Sequence, residues 1–152
     1  MRKYLILFLL ITSVQGKTQI PVTEREATIK SFLDDVFNED SIPVKLISDK
    51  YMYWDTSVDV DHQKRLDMLK EHLTQIKEKN SKFYTSDKIS ITPYSQLATE
   101  TRVPFDESAY SDIYAVFSDQ KLMLYVYMKE NRVCSFDYIQ KGMNGSAYFI
   151  TY

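Results

Sequence analysis

Apolar residues in the first half of the chain repeat with the period of an α-helix. Thr23 and Glu26 have the spacing of a capping box, and apolar side chains then recur every three or four residues. This pattern predicts a first helix over Thr23–Asn38. It also predicts a shorter second helix within Ser41–Lys50, which has a proline in its first turn, and a long third helix over Asp61–Lys79.

From residue 82 onward the hydrophobic period changes to two, which is the period of a strand. The predicted strands are Lys88–Tyr94, Asp112–Ser118, Lys121–Met128, Arg132–Gln140 and Ser146–Tyr152. Short connections, one with an Asn-Gly pair, favour hairpins, so the last four strands are predicted to form one antiparallel meander. Helices followed by such strands indicate an α+β domain, with three N-terminal helices packed on a curved antiparallel sheet of four to five strands.

Neither face of this predicted sheet is polar. One face is aliphatic and suits a helix layer, whereas the other carries Tyr114, Tyr125, Tyr127, Tyr138 and Tyr148. An extended apolar surface is typical of a contact surface, so the five tyrosines predict a homodimer interface. Two alternatives stay open: the tyrosines contact a different protein, or the sheet curls so strongly that the chain partly covers both faces itself.

The start of the chain predicts export. Arg2 and Lys3 precede an uninterrupted apolar run over Tyr4–Ile11, and the small residue Gly16 follows. This is the layout of a cleavable signal peptide over residues 1–16, because a membrane span needs about 20 apolar residues. Residues 17–152 are then a single domain that is secreted or periplasmic, without a membrane span. A lipoprotein is excluded, since no cysteine lies near the cleavage point.

Composition and charge narrow the class of protein. Three glycines and four prolines in 152 residues exclude a collagen-like or disordered chain. A formal net charge of −2 argues against a nucleic-acid partner. The single cysteine, Cys134, excludes a disulfide scaffold and predicts a small buried side chain. No spacing typical of a metal site or a cofactor loop occurs, so neither a metal nor a cofactor is expected.

The order of the predicted elements resembles the NTF2-like (cystatin-like α+β cone) superfamily over Val22–Tyr152. In particular, KLISDKYMYWD followed by the helix HQKRLDMLKEHLTQI is similar to the passage from second to third helix in that superfamily. The resemblance implies a pocket between the hollow face of the sheet and the helices. The superfamily includes isomerases, dehydratases and cyclases as well as non-catalytic binding and dimerisation modules, so the fold does not select a function.

Four residues are candidates for lining that pocket. Asp137 alternates with apolar and small residues, and burial on the hollow face would raise its pKa as acid–base catalysis requires. The alternative places Asp137 near an edge of the sheet, where it faces water or a cross-strand partner. Tyr51, Tyr53 and Trp54 are candidates for the pocket mouth, although hydrophobic packing explains these aromatic residues equally well.

The two histidines of the third helix predict no shared metal site. His62 and His72 are ten residues apart, whereas two metal-binding histidines on one helix face stand four residues apart. His72 is expected at a solvated or flanking position. The chain is therefore predicted to be an exported, non-catalytic module that binds a small apolar ligand or associates with itself. The alternatives are a partner-binding module and an isomerase or lyase with Asp137 as base and a tyrosine, such as Tyr125 or Tyr53, as hydrogen-bond donor.

Overall fold

The computed structural model describes residues 23–57, 59–141 and 145–152. The predicted signal peptide over residues 1–16 and Asn144 of the predicted turn lie outside this range. Three helices come first and are α1 (Glu24–Phe37), α2 (Val44–Tyr51) and α3 (His62–Asn80). All three predicted helices are confirmed, with ends within three residues of the prediction. Within the described residues, no helix combines the length and the apolar character needed to cross a membrane.

Local capping explains where two of the helices begin. The Thr23 hydroxyl accepts a hydrogen bond from the Glu26 N–H at 3.2 Å, and the Glu26 carboxylate accepts one from the Thr23 N–H at 3.0 Å. This is the predicted capping box. At the start of α3, the Asp61 carboxylate accepts a hydrogen bond from the Lys64 N–H at 3.0 Å. Each cap satisfies an N–H group that has no partner within the helix.

Two antiparallel sheets follow the helices. The main sheet has the order β1-β2-β3-β4 and consists of β1 (Ile89–Pro93), β2 (Ile113–Ser118), β3 (Lys121–Lys129) and β4 (Arg132–Ser135). The second sheet is a hairpin of β5 (Tyr138–Lys141) and β6 (Ser146–Phe149). The connections from β2 to β3 and from β3 to β4 each place two successive residues at positive φ, as tight hairpin turns require. The predicted α+β class is confirmed.

The prediction of one continuous meander is wrong, because the strand predicted over Arg132–Gln140 ends at Ser135. The Ser135 hydroxyl oxygen lies within hydrogen-bond distance of the carbonyl oxygens of Asp137 and Ile150. It also accepts a hydrogen bond from the Asp137 N–H. These side-chain hydrogen bonds replace the regular ladder, so the chain leaves the main sheet here and β5 pairs with β6 instead.

The two faces of the main sheet pack into two separate cores. The first core lies between the sheet and the three helices; its fully buried members include Ile29, Phe32, Leu33, Leu69, Leu73, Val126 and Met128. The second core covers the opposite face. It combines residues of β2 and β3 with the segment between β1 and β2 and with the β5–β6 hairpin, and it contains Tyr94, Leu97, Phe105, Ile113, Ala115, Tyr125 and Ala147. The chain therefore covers the predicted tyrosine face itself.

This arrangement corrects the predicted surface of five tyrosines. Tyr114 is 7% exposed and packs in the first core, toward the helices, so its assignment to the tyrosine face is wrong. Tyr125 is 1% exposed in the second core, and Tyr127 and Tyr138 are half-buried against it. Only Tyr148 of the five is well exposed, at 52%. The physical reason is that rings from the chain's own loop and hairpin pack on the face that the sequence pattern left open.

Candidate functional site

A cleft of about 340 Å³ opens where α3 ends, between that end, β3 and the connection from β4 to β5. Its size lies within the range of small-molecule sites, which begins at roughly 300 Å³. The walls combine apolar side chains with a few polar ones. The apolar lining residues include Ile76, Phe83, Leu122, Leu124 and Phe136, and the polar ones include Lys79, Asn80, Lys121 and Asp137.

Asp137 lies on the wall of this cleft, in the break between β4 and β5. Its side chain is 35% exposed, so the carboxylate is in contact with water. One of its oxygens, Oδ1, accepts a hydrogen bond from the Tyr138 N–H at 2.8 Å. Among the described residues, no tyrosine hydroxyl donates a hydrogen bond to this carboxylate. The sequence thus correctly indicated Asp137 as a residue of the cleft. The structure places it in contact with water, which was the alternative position.

His72 and Tyr152 form a polar pair close to Asp137. The Nδ1 atom of His72 lies 2.8 Å from the Tyr152 hydroxyl oxygen and 4.0 Å from Oδ2 of Asp137. Burial raises the pKa of Tyr152 above its ordinary value, with the Asp137 charge as a smaller cause, so the phenol stays neutral. His72 was expected at a solvated or flanking position; the solvated alternative is wrong, because the side chain is only 15% exposed. Nothing local in the sequence connects these two residues, which are 80 positions apart.

The three aromatic candidates do not join Asp137 in the cleft at the end of α3. Tyr51 is buried against α1, and its hydroxyl donates a hydrogen bond to the Asp35 carboxylate at 2.6 Å. Trp54 packs at the edge of the first core, 6.4 Å from the Tyr152 ring. For both residues hydrophobic packing, the alternative interpretation, explains the aromatic side chain.

Tyr53 lines a separate, smaller pocket of about 190 Å³ beside β3 and β4. The Lys129 ammonium lies 4.7 Å from the centre of the Tyr53 ring, and the Cys134 thiol lies on the wall of the same pocket. Burial raises the pKa of Cys134 to about 11, so the thiol is protonated and unreactive at neutral pH. The prediction that Cys134 is a small buried side chain is confirmed.

The sequence pattern did not indicate the cationic side of the cleft at the end of α3. Lys79 belongs to the last turn of α3, and Lys121 is the first residue of β3. The Lys121 ammonium lies 3.2 Å from the centre of the Phe83 ring, which is 41% exposed. Charged residues are common at a helix end and next to a hairpin turn. Lys79 and Lys121 differ from other surface lysines only because both line the same cleft. In the described part of the chain, no three His, Cys, Asp or Glu side chains are grouped so that they could hold a metal ion.

Comparison with known proteins adds no relative to this description. No protein-family model, no curated protein and no solved structure matches the chain. The similarity to the NTF2-like superfamily therefore stays a prediction.

Proposed function

We propose that this chain is an exported, non-catalytic protein that binds a small, largely apolar ligand in the cleft at the end of α3. The observation that carries the proposal is the cleft itself, whose walls expose apolar and polar surface in nearly equal amounts. In small-molecule sites the apolar surface supplies affinity and the polar groups orient the ligand. Export is supported by the signal-peptide pattern of residues 1–16.

The surroundings of Asp137 favour binding over acid–base catalysis. A general base must reach the proton that it abstracts, and the proposed enzyme would also need a tyrosine hydroxyl beside the developing oxyanion. Asp137 instead bonds to the backbone of its neighbour and is open to water. Tyr125, one of the two tyrosines named for the oxyanion, donates its hydroxyl to the Thr101 carbonyl at 2.7 Å, and Tyr53 lies in the other pocket.

A cleft-filling substitution tests the proposal. Leu122→Trp places an indole where Leu122 lines the cleft, whereas Leu46→Trp makes the same change on the exposed surface of α2. Decanol binding to the native protein is measured by isothermal titration calorimetry, and circular dichroism confirms that both variants fold. We expect Leu122→Trp to weaken binding at least about tenfold and Leu46→Trp to leave it unchanged, since only the first removes cleft volume. Equal binding by both variants, or no binding by the native protein, would contradict the proposal.

Self-association is a second candidate function, and one feature of the hairpin favours it. Ile139 of β5 and Tyr148 of β6 are direct cross-strand partners, and both side chains are exposed. A cross-strand apolar pair on an exposed face offers a small hydrophobic contact surface. The predicted homodimer would therefore form through this hairpin and not through the covered tyrosines.

A further inference from the structure

Positive charge is concentrated around one exposed ring at the rim of the cleft. Lys79 and Lys121 line the cleft together with Phe83. Lys82 and Lys88 line an adjoining depression that shares Phe83 and Lys121 with it. The chain as a whole has a formal net charge of −2, so this local excess of lysines opposes the overall sign. Such a local field attracts anions.

The two lysines of the cleft are not neutralised by the protein. Among the described residues, neither Lys79 nor Lys121 forms an ion pair with a carboxylate, whereas Lys88 pairs with Asp119 at 3.5 Å. Asp137 lines the same cleft without pairing with either ammonium. The contact with the Phe83 ring holds the Lys121 ammonium at the rim, because a cation is attracted to the face of an aromatic ring.

Three backbone carbonyls near the end of α3 already accept hydrogen bonds from the protein. The Ile76 carbonyl accepts a hydrogen bond from the Asn80 side chain at 3.0 Å. The Lys77 carbonyl accepts one from the Ser81 N–H at 2.9 Å, and the Asn80 carbonyl accepts from two following N–H groups. These carbonyls would otherwise favour a cation at the helix end. Because these three carbonyls are occupied, they do not balance the two ammonium groups, which supply the positive charge on this side of the cleft.

We propose that the ligand of the cleft is an amphipathic monoanion, with an apolar chain that ends in a carboxylate. The carboxylate contacts Lys79 and Lys121, and the chain packs on Ile76, Leu122 and Phe136. This inference rests on the proposed function, because it specifies the ligand of the same cleft. An ammonium–carboxylate contact strengthens binding of the anion without affecting a neutral ligand of the same chain length.

Three ligands with the same ten-carbon chain separate charge from apolar contact. Decanoate, decanol and decyltrimethylammonium are titrated below their aggregation concentrations into the native protein by isothermal titration calorimetry. We expect decanoate to bind about tenfold more tightly than decanol, which corresponds to the strength of one charged hydrogen bond at a partly exposed site. The cationic ligand is expected not to bind. The comparison of the three ligands uses only the native protein, so it does not depend on whether a variant folds.

Neutral substitutions then locate the anionic group. Lys121→Gln and Lys79→Gln are each expected to weaken decanoate binding about three- to tenfold and to leave decanol binding unchanged. Lys70→Gln, on the same helix but outside the cleft, is the matched control and is expected to change neither. Cosedimentation with vesicles of phosphatidylcholine and phosphatidylglycerol tests whether a membrane headgroup is the source of the anion. We expect the protein not to sediment with these vesicles.

The outcomes separate this inference from the proposed function. Equal affinity for decanoate and decanol, unaffected by the lysine substitutions, would overturn the anionic ligand and leave the small-ligand cleft intact. Failure of all three ligands to bind would overturn both. Vesicle binding that depends on Lys121 without any decanoate binding would replace the free amphiphile by a membrane surface and so refute the inference.

Discussion

Phe105 provides the sharpest test of the second core, since it lies in a segment without a helix or a strand and yet is only 6% exposed. Its ring stacks on Phe149 with the centroids 4.5 Å apart. The centroids of three tyrosine rings lie within 6 Å of it: those of Tyr94, Tyr125 and Tyr138. Phe105 thus joins the loop, the main sheet and the β5–β6 hairpin. Phe105→Ala removes the ring from the centre of this cluster.

The cost of Phe105→Ala follows from the burial of the ring. A buried aromatic side chain removes about 150–250 Å² from water, and about 25 cal/mol per Å² gives roughly 4–6 kcal/mol as an upper value. Alanine keeps part of that contact, and a loop relaxes into the space more readily than a strand does. We therefore expect the free energy of unfolding to fall by about 3–4 kcal/mol, within the usual range for such a change. This is a large share of the roughly 5–15 kcal/mol that stabilises a typical domain.

Urea unfolding followed by circular dichroism measures this loss. Phe83→Ala is the matched control, because it removes the same ring from a site that is 41% exposed, and it is expected to cost about 1 kcal/mol or less. Phe105→Ala should also uncover Tyr125 and so increase binding of an apolar dye. A loss below about 1 kcal/mol for Phe105→Ala would mean that the loop does not cover the sheet, and the assignment of a second core would be refuted.

Three further predictions concern single side chains. Tyr51→Phe removes the hydroxyl whose hydrogen bond is the main reason that the pKa of Asp35 lies below its ordinary value. The free energy of unfolding should fall by about 1 kcal/mol at pH 7, and the difference from the native protein should shrink below about pH 4, where protonation removes the stabilisation that the lowered pKa represents. Gln120 has φ 68° in the β2–β3 turn, and Gln120→Gly relieves the strain of this left-handed conformation. The free energy of unfolding should therefore rise by about 0.5 kcal/mol, and the unfolding temperature should rise with it. Tyr148→Lys should convert the predicted dimer into a monomer, as measured by light scattering.

Each of these predictions has a control and a contrary result. Tyr148→Phe is the control for Tyr51→Phe, because it removes an exposed hydroxyl and should not alter stability at any pH. If Tyr51→Phe left the acid unfolding transition unchanged, the role of Asp35 would be contradicted. Gln140→Gly is the control for Gln120→Gly, because Gln140 lies within β5, where glycine should destabilise the protein. A lower unfolding temperature for Gln120→Gly than for the native protein would contradict the predicted strain in the turn. A native chain that is monomeric at high concentration would end the dimer prediction.

The helices and most strand positions follow from neighbours in the sequence. Thr23 and Glu26 are three residues apart and satisfy each other's backbone N–H groups, so this helix start is visible without any tertiary contact. The apolar spacing of α1 and α3 likewise predicts which side is buried, because side chains three or four positions apart lie on one face of a helix. The candidate Asp137 was also recognisable, since a carboxylate among apolar neighbours is unusual along a strand.

Contacts between distant segments decided the rest. The end of β4 at Ser135 depends on the Ile150 carbonyl, and the covering of the tyrosine face depends on Phe105, which comes from a loop with no periodic pattern. Lys79 from a helix end and Lys121 from a strand line the same cleft. Hydrophobic periodicity reports which side of an element is buried, but not which segment covers it. The sequence by itself therefore determined the three helices, most of the strands and their order, whereas only the tertiary structure decided how the sheet divides, which face is open and where a ligand could bind.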